Sequence, residues 1–158
     1  LDALAQHGLV LTDQDGGDRR LRPTALQLFD HVPEGLHPAL VLLTVKSGAT
    51  AEAAAELDAA LPPRTPVLSL QNGVSNAHHA ARAAPTLHVL PGMVPYNVAE
   101  LDPGHYHRGT GGRLAARQDP ALRNWVAVFE QADAVRPLGD FGLTFRVAVF
   151  VGFGFAPA

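Results

Sequence analysis

Apolar positions are most tightly grouped between Leu40 and Gly73. Leu40-Val-Leu-Leu-Thr-Val45 is an almost unbroken apolar run, partly β-branched, and it ends in Lys46-Ser-Gly48. Such a run fits a strand buried on both faces, as a parallel sheet requires. Thr50 to Leu61 follows, rich in Ala, Glu and Leu, the best helix formers. Thr50 is placed to cap this helix and Pro62-Pro63 to stop it. A second apolar run, Val67 to Leu70, leads into Gln71-Asn-Gly73. Strand, helix and strand in so short a span predict a βαβ unit with adjacent parallel strands. Its crossover is right-handed in nearly all cases. Ligands of open parallel sheets bind beyond the carboxyl ends of the strands, so Lys46 and Asn72 are expected to face one crevice.

The flanking pattern is less regular. Leu1 to Gly8 reads as a last helical turn with a glycine C-cap, followed by a strand at Leu9 to Thr12. Asp15-Gly16 suggests a hairpin turn into Arg19 to Arg22. Ala25 to Val32 alternates loosely, which predicts an edge strand ended by Pro33 and Gly35. Val74 to Ala84 suits a helix, with Asn72 or Ser75 as its cap and Pro85 as its stop. Its His78 and His79 point about 100° apart, poor geometry for a shared metal, and read as surface residues. Leu87 to Val98 is a third apolar run, interrupted by Pro91-Gly92 and Pro95. A strand is expected at Gly104 to Thr110, and Gly111-Gly112 turns it into a hairpin partner at Arg113 to Arg117. His105 and His107 share one face of that strand, a spacing that suits a metal, but no third ligand accompanies them. An ordinary strand face is the simpler reading, and no metal site is assigned. Pro120 to Gln131 is expected to be a helix capped by Asp119, with Leu122, Trp125, Val126 and Phe129 forming its apolar face.

Composition narrows the function. With 158 residues, 47% hydrophobic and 17% charged, the chain has the makings of one globular domain. Its net charge of −3 argues against a nucleic-acid partner. The absence of cysteine rules out disulfides and thiolate metal sites, and fits a reducing cytoplasm. Neither a signal peptide nor a membrane-spanning run is expected, since the longest apolar stretch, Val147 to Ala158, is short and broken by glycines. Eleven of the 12 basic residues are arginine, and the one lysine is Lys46, at the end of a predicted strand. A compact ammonium there is not interchangeable with a guanidinium. A specific role is favoured over a solvated loop lysine.

At these residues the chain resembles a known family. Val-Leu-Leu-Thr-Val-Lys46-Ser, then Leu-Gln-Asn-Gly73 one βα unit later, is similar to ketopantoate reductase (2-dehydropantoate 2-reductase). Gly92-Met-Val-Pro-Tyr-Asn-Val98 and Pro103-Gly-His-Tyr-His-Arg-Gly-Thr110 resemble the segments that follow in that family's nucleotide-binding domain. The likeness runs from about Leu1 to Asp140. It implies an α/β fold: an incomplete Rossmann-like, doubly wound and mostly parallel domain over residues 1–140, with a divergent or truncated tail over 141–158. The implied activity is NADPH-dependent reduction of the 2-oxo acid 2-dehydropantoate to pantoate in the cytoplasm. By residue, Lys46 matches the family lysine that reaches the cofactor. Asn72 matches the asparagine that hydrogen-bonds the cofactor beside the substrate, and Val98, with Asn97, matches a third contact through the backbone.

Other parts of the family pattern have no match. No Gly-x-Gly-x-x-Gly joins a strand to a helix in this sequence, and the first βα unit that carries it is expected before Leu1. The helical substrate domain and its general-acid lysine are also unmatched. From Phe141 onward five of the seven phenylalanines alternate with Gly and Val. The polypeptide alone is therefore expected to be inactive. The alternative is a non-catalytic Rossmann-like fragment that binds nucleotide or protein weakly. Without its central neighbour, the Lys46 strand is expected to present a bare apolar edge, making the isolated chain poorly soluble or a homo-oligomer.

Overall fold

The computed structural model describes residues 1–73, 75–112, 114–133 and 147–150. In chain order the elements begin with α1 (Asp2–His7), β1 (Leu9–Asp13), β2 (Asp18–Leu21), β3 (Leu40–Leu43) and α2 (Thr50–Ala60). They continue with β4 (Pro66–Leu70), α3 (Asn76–Ala83), β5 (His88–Met93), β6 (Val98–Asp102) and β7 (His105–Arg108). Last come β8 (Ala115–Ala116), α4 (Val126–Asp133) and β9 (Val147–Phe150). They fall into two compact units, Leu1–His31 with Pro95–Arg113 and Val32–Val94 with Leu114–Ala158. No helix among the described residues is long and apolar enough to cross a membrane.

The larger unit is built on a five-stranded sheet in the order β8-β5-β4-β3-β9. β3 and β4 are parallel, with Val41 opposite Val67 and Leu43 opposite Ser69. β5 continues the parallel set beside β4. The apolar run of β3 feeds both faces. Val41 and Leu43 join Ala53, Ala54, Leu57, Val67 and Ala80 in one cluster with α2 and α3. Leu40 joins Leu68, Leu90, Leu122 and Trp125 in a second cluster. A parallel sheet covered on both sides is the α/β arrangement expected from the sequence. The small alanines of α2 let its backbone lie close to the sheet, and Pro62 ends it after Leu61 turns to an extended conformation. Asp58 then secures the next connection, accepting hydrogen bonds from the N–H and hydroxyl of Thr86 at 3.0 and 2.8 Å.

The smaller unit carries a four-stranded sheet in the order β2-β1-β7-β6. β1 pairs antiparallel with β2 through the Asp15-Gly16 turn, and parallel with β7. α1 ends at Gly8, whose φ of 76° and whose 2.0 Å gap from a built Cβ to the Leu21 carbonyl oxygen leave no room for a side chain.

Several expectations change. Ala25 to Val32 is no strand: a 3₁₀ turn occupies Pro23–Ala25, started by the fixed φ of Pro23. Half-buried Leu26 and Leu28 still alternate with exposed Gln27 and Phe29, but no strand pairs with them. Alternation records burial, whereas a strand also needs a partner edge. The hairpin partner of β7 is β6, joined through Pro103-Gly104, while β8 pairs antiparallel with β5. The Asp-Pro-Gly turn ahead of β7 prevailed over the Gly-Gly behind it. Thr50 does not cap α2, because its hydroxyl accepts a hydrogen bond from Gln71 instead. Ser75 precedes α3 without a side-chain cap bond. Asp119 does cap, accepting from the Ala121 N–H at 2.9 Å. The following segment is 3₁₀ over Pro120–Trp125 before α4 begins. That shift in phase leaves Val126 half exposed and turns Val128 inward with Phe129.

The edge argument also fails. β9 pairs in parallel with β3, Leu40 opposite Val147 and Leu43 opposite Phe150. The Lys46 strand is therefore flanked on both sides, and the reason for expecting poor solubility or a homo-oligomer is gone. The remaining tail, 134–146 and 151–158, lies outside the described residues.

One acidic group in the smaller unit is tuned by its turn. The Asp13 carboxylate accepts from the Gly17 N–H at 2.8 Å and the Asp15 N–H at 2.9 Å, with Arg108 at 3.9 Å. The Gly17 bond foremost, then the Asp15 bond and Arg108, hold its carboxyl below the usual value against the opposing effect of burial. A lowered folded pKa stabilises above the unfolded value, near 3.9, and that contribution is lost as pH falls through the folded value. Asp13→Asn is expected to lower the melting temperature at neutral pH and to flatten its decline in acid. A melting-temperature series from neutral pH down to about pH 2 checks this.

Candidate functional site

The site begins with strand register. β3 and β4 run parallel, with Leu43 opposite Ser69. Lys46 and Asn72 lie equally far beyond that pair, so both leave the sheet at its carboxyl edge, as the sequence predicted. Lys46 has an extended conformation and leads into a 3₁₀ turn at Ser47–Ala49. Asn72 leads into Gly73, whose φ of 104° turns the chain toward α3. Both side chains are exposed. Among the described residues no ion pair engages the Lys46 ammonium.

Gln71, which sequence reasoning passed over, holds the two strand ends together. It is 6% exposed, and its Nε2 donates to the Val45 carbonyl at 2.6 Å and the Thr50 hydroxyl at 2.8 Å. Its Oε1 accepts from the Ser69 hydroxyl at 2.9 Å. One carboxamide thus ties the end of β4 to the end of β3 and to the first residue of α2. Asn76 makes a second link, from its Nδ2 to the Asn72 carbonyl at 2.6 Å and to the Ser47 hydroxyl at 3.0 Å. The available sequence signal was a polar residue directly after an apolar strand, but a buried clamp and a ligand contact look alike at that level.

Beside this edge lies a cavity of about 340 Å³ lined by Gln71, Gly73, Ala77, Gly92, Met93 and Arg117 among others. Most of its lining residues are small or apolar, and Arg117 is the charged one among them. Gly92 is required there, since a Cβ would come within 2.9 Å of Leu70 and 3.1 Å of the Ser69 carbonyl oxygen.

Val98, the third residue singled out, lies in the smaller unit, 54% exposed on β6 and opposite Arg108. His105 and His107 do share a face of β7. Their ring nitrogens meet the Thr12 hydroxyl at 3.0 and 2.9 Å. Their shared partner is thus a hydroxyl, and no group of three or more His, Cys, Asp or Glu suited to a metal occurs among the described residues. His78 and His79 are exposed on α3.

Comparison with known proteins gives a consistent set of matches. The sequence profile of the family described as ketopantoate reductase PanE/ApbA matches residues 1–118. A 2-dehydropantoate 2-reductase of Halobacterium salinarum is 34% identical over 138 residues, covering 82% of this chain and 43% of that protein. Among solved structures, a PanE/ApbA family ketopantoate reductase from Ralstonia eutropha JMP134 superposes with a TM-score of 0.66 at 27% identity, over 94% of this chain and 45% of its own. A 2-dehydropantoate 2-reductase from Geobacter metallireducens GS-15 gives 0.64 at 25%, over 94% and 46%. The chain spans less than half the length of these relatives.

The clamp can be tested without a ligand. Gln71→Leu keeps the volume but leaves the Val45 carbonyl and two hydroxyls without their partner. It is expected to cost about 1–3 kcal/mol. A lower urea midpoint with an unchanged slope would register that cost.

Proposed function

This chain belongs to the ketopantoate reductase family PanE/ApbA, and we propose that it forms part of the nucleotide-binding domain of a cytoplasmic, NADPH-dependent 2-dehydropantoate 2-reductase. The observation that carries this reading is the pair of exposed polar side chains, Lys46 and Asn72, brought into register at the carboxyl edge of two parallel strands.

The residues present suit part of a dinucleotide. The ammonium of Lys46 offers a compact positive charge to an anionic or hydroxyl-rich group. The Asn72 carboxamide offers both a donor and an acceptor. Gly73, at φ 104°, keeps the turn free of a side chain. Val98, on the smaller unit, is read by the resemblance alone as a contact through its backbone. A nicotinamide, when bound, supplies the hydride, and this chain's residues supply orientation and charge. The resemblance implies that the 2-oxo acid would bind near the cofactor contact assigned to Asn72.

Reduction of a ketone also needs a proton donor, which commonly contributes about 10²–10⁴-fold. The resemblance implies a lysine as that donor, and with Lys46, the one lysine of this sequence, read on the cofactor side, this reading takes the donor from outside these 158 residues. Positioning of both reactants, worth roughly 7–11 kcal/mol, is in this reading likewise taken from the length the relatives have beyond this stretch. The reading therefore assigns nucleotide binding to this polypeptide and the chemistry to a longer protein. The competing reading is a Rossmann-like fragment with a weak binding role only, and it is favoured by the chain spanning under half of its relatives.

Titration of the purified chain with NADPH and NADH, followed by nucleotide fluorescence, tests the site. Lys46→Ala is expected to weaken NADPH binding about ten- to a hundredfold, the loss of a hydrogen bond to a charged group. In the same preparation, no oxidation of NADPH by 2-dehydropantoate is expected. Binding indifferent to Lys46 would overturn its assignment, and turnover dependent on Lys46 would overturn the claim of inactivity.

A further inference from the structure

We propose that Asn76 is a positioning residue, bridging the Lys46 and Asn72 loops so that their side chains meet a nucleotide as one preset pair. The proposal rests on the reading of those two residues as cofactor contacts.

Asn76 is the first residue of α3 and only 6% exposed, unusual for a carboxamide at a helix start. It does not serve as the helix cap. Its Nδ2 instead reaches back to the Asn72 carbonyl at 2.6 Å and across to the Ser47 hydroxyl at 3.0 Å. The two acceptors adjoin the two candidate contacts: one is the backbone of Asn72 itself, the other the neighbour of Lys46. A carbonyl oxygen can only accept, so it fixes which end of the carboxamide faces inward. One nitrogen with two protons then joins the Asn72 loop to Ser47, 29 residues before Asn76. The turn above it passes through Gly73 at φ 104°, a backbone conformation that favours glycine.

The bridge also sets the role of Ser47. Its oxygen is occupied as an acceptor, which leaves its own O–H free to donate. Ser47 is exposed beside Lys46, so the edge presents an ammonium, a hydroxyl proton and a carboxamide together. Preset donors reduce the ordering cost of binding, which otherwise falls on each side chain separately. Gln71 cannot substitute for Asn76 here, because it grips Val45 and Thr50 beneath the loops rather than Ser47 and Asn72.

Asn76→Asp keeps the size but turns an acceptor toward the Asn72 carbonyl. Ser47→Ala removes only the far partner, at an exposed site, and serves if the first variant folds poorly. Two readouts are needed. Without nucleotide, hydrogen exchange of the 46–49 backbone is expected to speed up about tenfold in either variant, the loss of one hydrogen bond. With NADPH, affinity is expected to fall about tenfold in Asn76→Asp. Adding Lys46→Ala to that variant should cost clearly less than it does in the parent, because a loosened lysine has less to lose. Unchanged exchange at 46–49 in both variants would overturn the bridge. A full, additive Lys46→Ala effect would overturn the positioning role even if the loop loosens. A parent chain that binds no NADPH while 46–49 still loosens would overturn the nucleotide reading and leave the bridge standing.

Discussion

The parallel pairing of Leu40–Leu43 with Pro66–Leu70 is the constraint on which the larger unit depends. Side chains alternate across a strand, so a slip by one residue would exchange Val41 and Leu43 for Leu40 and Leu42 on every face. Both faces are buried, which means hydrophobicity alone does not forbid the slip. Polar residues at the strand ends do. The Gln71 carboxamide reaches the Val45 carbonyl and the Thr50 hydroxyl only in the observed register. The residue that specifies the pairing therefore also defines the edge where Lys46 and Asn72 emerge. Fold and site share one hydrogen-bonded unit.

The βαβ unit was legible because two independent signals agreed on it. The apolar run of β3 was too long and too uniform for a half-exposed strand, and the alanine-rich stretch after it had no strand-like residues. Strand ends were legible from Lys46-Ser-Gly48 and Gln71-Asn-Gly73 for the same reason, as abrupt polar interruptions. Partner choice was less readable. β7 had a glycine-rich turn on either side, and local sequence does not say which strand closes a hairpin. β9 was missed as a sheet member because Val147–Phe150 sits in a phenylalanine- and glycine-rich tail and pairs with a strand more than 100 residues earlier. Such long-range pairing is set by the edge that is available, not by any local pattern.

The candidate site divides along a similar line. Lys46 and Asn72 could be found because exposure leaves a trace in the sequence: a lone lysine among arginines, and an Asn-Gly turn. Gln71 and Asn76 could not, because burial of a polar side chain is a property of the assembled fold. The sequence Gln-Asn-Gly-Val-Ser-Asn76 holds three carboxamides, and nothing in their order separates the exposed one from the two that are buried. The hydrogen bonds do so at once, since Gln71 and Asn76 are occupied while the Asn72 contribution is a backbone carbonyl.

That difference bears on how the edge carrying Lys46 and Asn72 is held. Lys46 and Asn72 stand on loops, and loops held only at their ends are mobile. Here two buried carboxamides of the second segment, Gln71 and Asn76, reach across to Val45, Thr50 and Ser47 in the first, and Asn76 also holds the Asn72 carbonyl in its own. The grip is made within the larger unit, between residues 45 and 76, and needs no contribution from elsewhere in the chain. The geometry of this edge is set by the strands and the two carboxamides beneath it.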